Sequence, residues 1–386
     1  MKRVIKYLLM ITGCFIVLFL GLNITWSLRD KKKLNIYILD KTVTRFDRPE
    51  HKSLVWLLNY ERFVGPDGKT YKVDEDYYGF FPIDFEQELF DFKSIRINEV
   101  DAYADAYDAV YYTDCYGVFS FEWYKGKTKT THSQKVYGGL NQNDFLLLKK
   151  MKEGNKLVIG EYNMFSTPTN ALLRSKAESL FDITWTGWSG KSFRTLNASE
   201  MDGPPEWMPK LYESQHLNAW PQDKSGVVLV SNDGLIELLV LGEDLRSLFP
   251  VIGTTPEYAS KLGVTGSVEY DQWFEFITPG GNTVVPSTFS LDVSPEGKKI
   301  LEKISLQSQF PAVVRATPGG FTFYFAGDFA ENDVKMFTSR MAGGKWLNKL
   351  LTDNAKPVNS KFFNGYYQPL MRSILNEYYQ FDKGRR

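Results

Sequence analysis

The chain has 386 residues, of which 43% are hydrophobic and 24% charged, a balance that suits a globular protein with one large core or two ordinary ones. The 46 Lys and Arg residues equal the 46 Asp and Glu residues, so no net field draws nucleic acid or a strongly anionic substrate, and no nucleic-acid partner is expected. Two cysteines, Cys14 and Cys115, cannot build a disulfide framework, and three histidines without close Cys or His spacing give no zinc motif, so neither a metal nor a cofactor is expected.

In "MKRVIKYLLMITGCFIVLFLGLNITWSLRDKKK", Lys2, Arg3 and Lys6 precede an uncharged stretch from Tyr7 to Leu28. That length crosses a hydrocarbon layer of ~30 Å as a helix. No small-x-small cleavage site follows Leu22, and the apolar run continues past Cys14, where a lipoprotein would carry a polar tether after "ITGC". Residues 1–33 therefore read as a transmembrane signal anchor with a basic flank. A short N-terminus ahead of a large domain places that domain outside the cytoplasm, although Arg29, Lys31, Lys32 and Lys33 weaken the charge asymmetry. Tyr7 and Trp26 fall where interfacial aromatics are expected.

"LNIYILDK", Leu34 to Lys41, is apolar without alternation, as a strand buried on both faces is. "PEHKSLVWLLNYERF" follows as a helix opened by Pro49 and Glu50. "DYYGFFPIDF" reads as an aromatic loop, "YDAVYYTD" as a second buried strand, and "GVFSFEWYKGKTKTTHSQKVY" as a hairpin with a solvated basic turn from Lys125 to Lys135. "YGGLNQNDFLLLKKMKEGNKLVIGEYN" carries the cleanest αβ signal: a capped helix ending at Gly154, then a strand from Lys156 to Glu161. Thr167 and Pro168 are expected to open the next helix, whose Leu173, Ala177, Leu180 and Phe181 share a face. Strands come later at "GVVLVSN", "LIELLVLG", "VEYDQWFEFI", "STFSLDV", "PAVVRA" and "FTFYFAGDF". Helices are expected at 295–304, 333–352 and 364–380, and "TPGG" at 317–320 and "TPGGN" at 278–282 read as hairpin turns. The fold class is thus α/β: a three-layer, flavodoxin-like, mostly parallel sheet with β-rich elaborations, preceded by a transmembrane helix. Residues 34–386 are expected to form one domain elaborated around 183–290.

From Leu34 to Phe181 this order of elements resembles the class I glutamine amidotransferase-like fold and its ThuA-like relatives. The resemblance rests on the first strand and its helix, the "DAVYYTD" strand, the "GGL" loop entering a helix, and "NKLVIGEYN" entering another. In active members the strand ends in a glycine-nucleophile-glycine elbow with cysteine at the turn, activated by a His-Glu pair. Here "GEYNMF" sets Glu161 in that place with no glycine after it, which argues against cysteine-based amide hydrolysis. Cys115 follows a different strand with no histidine nearby in sequence.

Ligands in open α/β sheets bind outside the carboxyl ends of the strands. That rule nominates Glu161, Asp114 and Asp328 as candidate catalytic carboxylates, since burial at a strand mouth raises a carboxyl pKa toward neutrality. It nominates Asp40, Lys41, Tyr116, Gly138, Gly139 and Asn163 as ligand-binding. Trp188 and Arg194 join them because a Trp pair beside a cation suits a sugar face or a carboxylate. A purely structural role, in which Glu161 and Asn163 hydrogen-bond the strand-helix loop, stands beside this. Two functions follow: a membrane-anchored extracytoplasmic domain that binds an envelope ligand, glycan or protein, without cysteine chemistry, or a carboxylate-based hydrolase of a glycan, ester or amide.

Overall fold

The computed structural model describes residues 2–127, 134–352 and 357–385. Lys2–Ser27 is one continuous helix, α1, and its Val4–Ser27 stretch is long and apolar enough to cross a membrane. Its far end is fastened to the globular part. The Arg62 guanidinium donates to the carbonyls of Ser27 and Arg29 at 3.0 and 3.2 Å, meeting acceptors that a helix leaves open at its C-terminus. The same guanidinium lies 4.4 Å from the Trp26 ring. Trp26, expected at a lipid interface, is therefore covered by the domain, whereas Tyr7 is exposed.

Five parallel strands form the centre of a ten-stranded sheet: β1 (Ile36–Asp40), β2 (Tyr78–Asp84), β3 (Ala109–Asp114), β4 (Leu157–Glu161) and β5 (Thr322–Phe325). Their spatial order is β2-β1-β3-β4-β5, the flavodoxin-like arrangement, with the direction of winding reversing between β1 and β3. Every residue of β1, β3 and β4 is buried, which explains their unbroken apolar patterns. Antiparallel strands extend both edges, Leu89–Lys93 beside β2 and Gln309–Arg315 beside β5, the latter leading on to Val284–Ser290, Val251–Thr254 and Ser267–Glu269.

Helices cover both faces. The helix α2 (Pro49–Tyr60) and the C-terminal helices pack on the face that carries Asp40, Tyr111 and Glu161, as the contacts of Asp40 with His51 and of Tyr111 with Tyr367 establish. On the other face lie α3 (Gln142–Glu153) and α4 (Ala171–Phe181). Tyr112 donates there to the Asp144 carbonyl, and Phe181 touches the Tyr324 ring. In α3 the Asn141 side chain accepts from the Asn143 and Asp144 amides while Asp144 reaches back to the Asn141 amide, a reciprocal cap.

A second sheet of four antiparallel strands, Ile236–Val240, Gly226–Ser231, Ile183–Phe193 and Phe274–Pro279, is latched to the segment just past β5. The Glu275 amide donates to the Ala326 carbonyl and the Asp328 amide to the Trp273 carbonyl, at 2.9 and 3.0 Å.

Several expectations change. "DYYGFFPIDF" contains β2 rather than a loop; Gly79, at φ +128°, lets it pass against β1. Asn170, not Thr167, caps α4 by accepting from the Leu173 amide, and Thr167 bonds Asn232 instead. "TPGGN" joins strands of two different sheets, not a hairpin, while "TPGG" does turn between paired strands. The 333–352 helix divides into a 3₁₀ turn at Met336–Arg340 and α5 (Gly344–Thr352). The C-terminal helix begins earlier, at Pro357, and runs through a π turn into α6 (Gln368–Arg385). Val118–Phe119 and Lys135–Tyr137 do pair antiparallel, but positions 128–133 of the basic turn lie outside the described residues.

A Cβ on Gly79 would stand 1.7 Å from the Asp40 carbonyl oxygen, a backbone atom that cannot swing away. Gly79→Ala is expected to abolish accumulation of folded protein. Gly281→Ala, which meets nothing within 4 Å, should keep the wild-type melting temperature in a thermal denaturation series.

Candidate functional site

The site grows out of one irregularity. β1 and β3 pair in step as far as Leu39 and Tyr112, and then slip so that Asp40 faces Asp114 and Thr113 is left outside the ladder. Two carboxyl groups thereby stand side by side where the sheet reverses its winding, the place at which open α/β sheets hold ligands.

Asp40 is fully buried, with Oδ2 2.6 Å from His51 Nδ1 on α2. His51 Nε2 lies 2.9 Å from the Val73 carbonyl, which can only accept, so Nε2 is the donor there. Asp114 accepts from the Tyr116 amide at 2.7 Å, and its pKa is pushed up to about 7 by burial and then by the nearby Asp40 charge. Burial, followed by Asp40, also lifts Glu50 well above the carboxylate range, and its Oε2 has no hydrogen-bond partner among the described residues. Asp328 is raised well above the carboxylate range by burial first and then by the neighbouring Glu331 charge. Asp114, Glu50 and Asp328 thus all titrate above the ordinary carboxylate range.

Glu161 lies at the end of β4 but is closed off. Its oxygens accept from the Tyr111 hydroxyl at 3.0 Å and from the Phe329 and Ala330 amides at 3.2 and 3.3 Å, and the residue is 1% exposed. Burial raises its pKa despite those donors. The left-handed turn that follows centres on Asn163, at φ +68°, whose side chain accepts from Ser166 at 3.1 Å. Cys115, also 1% exposed, has its thiol pKa driven up by burial, against the pull of Lys41, and so lacks thiolate character.

The other nominated residues divide by location. Lys41 is buried between the Gly139 carbonyl, 2.8 Å away, and Asp144, 2.5 Å away; burial alone would lower its pKa, but Asp144 and Tyr137 carry it above its usual value. Gly138 sits back to back with Gly117, each blocking a Cβ on the other, so the pair lets two loops meet below Tyr116. Tyr116 is partly exposed and leans on Phe119. Trp188 and Arg194 belong to the small sheet: the Trp188 carbonyl accepts from Trp185, and Arg194 pairs with Asp271 while covering Phe249. Among the described residues no three His, Cys, Asp or Glu side chains are grouped to hold a metal ion.

Sequence reasoning passed over Glu50, Glu275 and Glu331. Glu275 left a trace, a lone charge inside the apolar "WFEFI", and it is fully buried, with Oε1 accepting from the Tyr324 hydroxyl and Oε2 unmet among the described residues. Burial puts its pKa at about 8.

No family model and no curated protein matches the chain. Among solved structures it is similar to a ThuA-like protein from Bacteroides uniformis, at 9% identity and a TM-score of 0.34, covering 91% of this chain and 93% of that one. It is also similar to the glutaminase domain of Trypanosoma brucei CTPS with bound acivicin, at 9% identity and a TM-score of 0.30, covering 89% and 94%. The flavodoxin-like α/β frame is carried by the strand order and layering described above, and likenesses this distant add nothing to it.

Glu161→Gln is expected to lower stability by roughly 1–3 kcal/mol, because one side-chain NH₂ must then face a backbone N–H that it cannot accept; chemical denaturation of the two proteins measures it. Glu275 titrates in the opposite sense to a salt-bridged carboxylate. Its folded pKa is raised from 4.5, so its stabilisation is complete below about 4.5, declines as pH rises and is gone above about 8. Glu275→Gln should therefore melt at a higher temperature than wild type at pH 9 and lose that advantage by pH 5.

Proposed function

We propose that the chain is a membrane-tethered binding protein, its residues 34–386 forming one domain outside the cytoplasm that recognises a hydroxyl-rich envelope ligand such as a glycan. The observation that carries this is the closure of Glu161. Both of its oxygens are engaged by Tyr111, Phe329 and Ala330, and Cys115 is buried and protonated, so neither side chain is available as a nucleophile. What remains at the ends of β3 and β5 is Asp114 with Asp328, 8% and 7% exposed, beside the half-buried Glu331. Carboxyl groups that keep a proton near pH 7 both donate to and accept from hydroxyls, the pattern that polyhydroxylated ligands need. The single-domain assignment is supported by a continuous core running from Leu34 to Tyr378.

One observation favours the alternative, a carboxylate-based hydrolase: a pKa of about 7 on Asp114 also suits a general acid. The two separate in one assay. Full-length protein in detergent should retain purified cell-wall glycan on a column and release no new reducing ends, and Asp114→Asn should lower retention about tenfold or more. Release of reducing ends by wild type and not by Asp114→Asn would replace binding with hydrolysis. Protease added to intact spheroplasts should digest the domain; protection would place it in the cytoplasm.

A further inference from the structure

The helix α5 is turned inside out. Its polar residues Asn348 and Thr352 are 0% and 3% exposed, with Asn348 accepting from the Lys335 amide and Thr352 donating to the Asn348 carbonyl. Its large apolar residues face outward: Trp346 is 69% exposed, Leu350 55% and Leu351 44%. Trp346 and Leu350 are four positions apart, as are Leu347 and Leu351, so the four make one stripe along the helix. Phe337, on the 3₁₀ turn packed against α5, is exposed as well. A helix in a water-soluble surface presents the opposite sides.

Two further observations say what covers this stripe. The Ala342 amide, two residues before α5 begins, donates to the Leu22 carbonyl of α1 at 3.0 Å. Leu22 stands five residues inside the end of α1, about 8 Å back along the axis at about 1.5 Å per residue, so α5 starts level with the anchor and not beyond it. From Tyr7, just past Lys6, to Leu22 the anchor rises about 24 Å, which puts the Leu22 level within a few Å of the far edge of a ~30 Å hydrocarbon layer. Around that exit lie cations. Lys345 feels the charges of Arg372, Glu61 and Lys349, and Lys32 those of Glu61, Arg29 and Arg372, so Glu61 stands among cations.

We propose that α5 is an interfacial helix, lying in the surface of the same bilayer that α1 spans, with its Trp346-Leu350 stripe among the acyl chains and its lysines against anionic headgroups. This rests on the membrane-anchor assignment, and the test keeps the two apart. Full-length protein is reconstituted into phosphatidylcholine and phosphatidylglycerol vesicles whose acyl chains are brominated near the headgroup, and a portion of the vesicles is washed with alkaline carbonate. Protein that washes off overturns the anchor itself. Protein that stays should show bromolipid quenching of tryptophan emission, and the quenched fraction should fall by half or more in Trp346→Phe, with iodide in the water phase having little effect on the lost component. Equal quenching in wild type and Trp346→Phe, with the protein retained, overturns the interfacial helix. So does a disulfide-linked dimer of Leu350→Cys in the vesicles, because a second copy would then be covering the stripe.

Discussion

A carboxylate removed from water must be met by a proton, a cation or a set of donors, and leaving it unmet costs several kcal/mol. This constraint arranges the centre of the molecule. Asp40 has His51, Asp144 has Lys41, Glu161 has Tyr111 and two amides, and Glu275 has Tyr324. Each partner belongs to a different element from its carboxylate, so each contact also fixes a position: α2 against β1, the end of β1 against α3, the segment after β5 against β4, and the small sheet against β5. The acidic residues near the ends of the strands are thus joints of the fold first.

The frame was legible because burial on both faces leaves a strong mark. "NIYILD", "DAVYYT" and "KLVIGE" are too apolar and too short to be anything but central strands, and the Asn141 cap with Gly154 bounds α3 in the sequence as well as in space. β2 was hidden because only part of it pairs with β1 and its glycine and proline imitate a loop. Local signals also misplaced the start of α4, where Thr-Pro outweighed the Asn170 that accepts the first free amide.

The placement of the strand-end carboxylates was legible, and their contacts were not. Position at a strand end nominated Asp40, Asp114, Glu161 and Asp328, and all four lie at the ends of central strands or just past β5. No pattern in one dimension announces that two amides from 329 and 330 will fold back onto Glu161, or that a one-residue slip will set Asp40 opposite Asp114. Both depend on pairing between segments far apart in the chain. Glu50 and Glu331 escaped notice for the same reason, since each lies next to a helix or turn whose approach to the sheet only the tertiary packing decides.

The clasp of Arg62 on the carbonyls of Ser27 and Arg29, at and just past the end of α1, closes a joint where a free linker would leave a swivel. A turn of α1 about its own axis must then carry the globular part with it or break both the guanidinium contacts and the packing on Trp26, so a push on either one is felt as torque by the other.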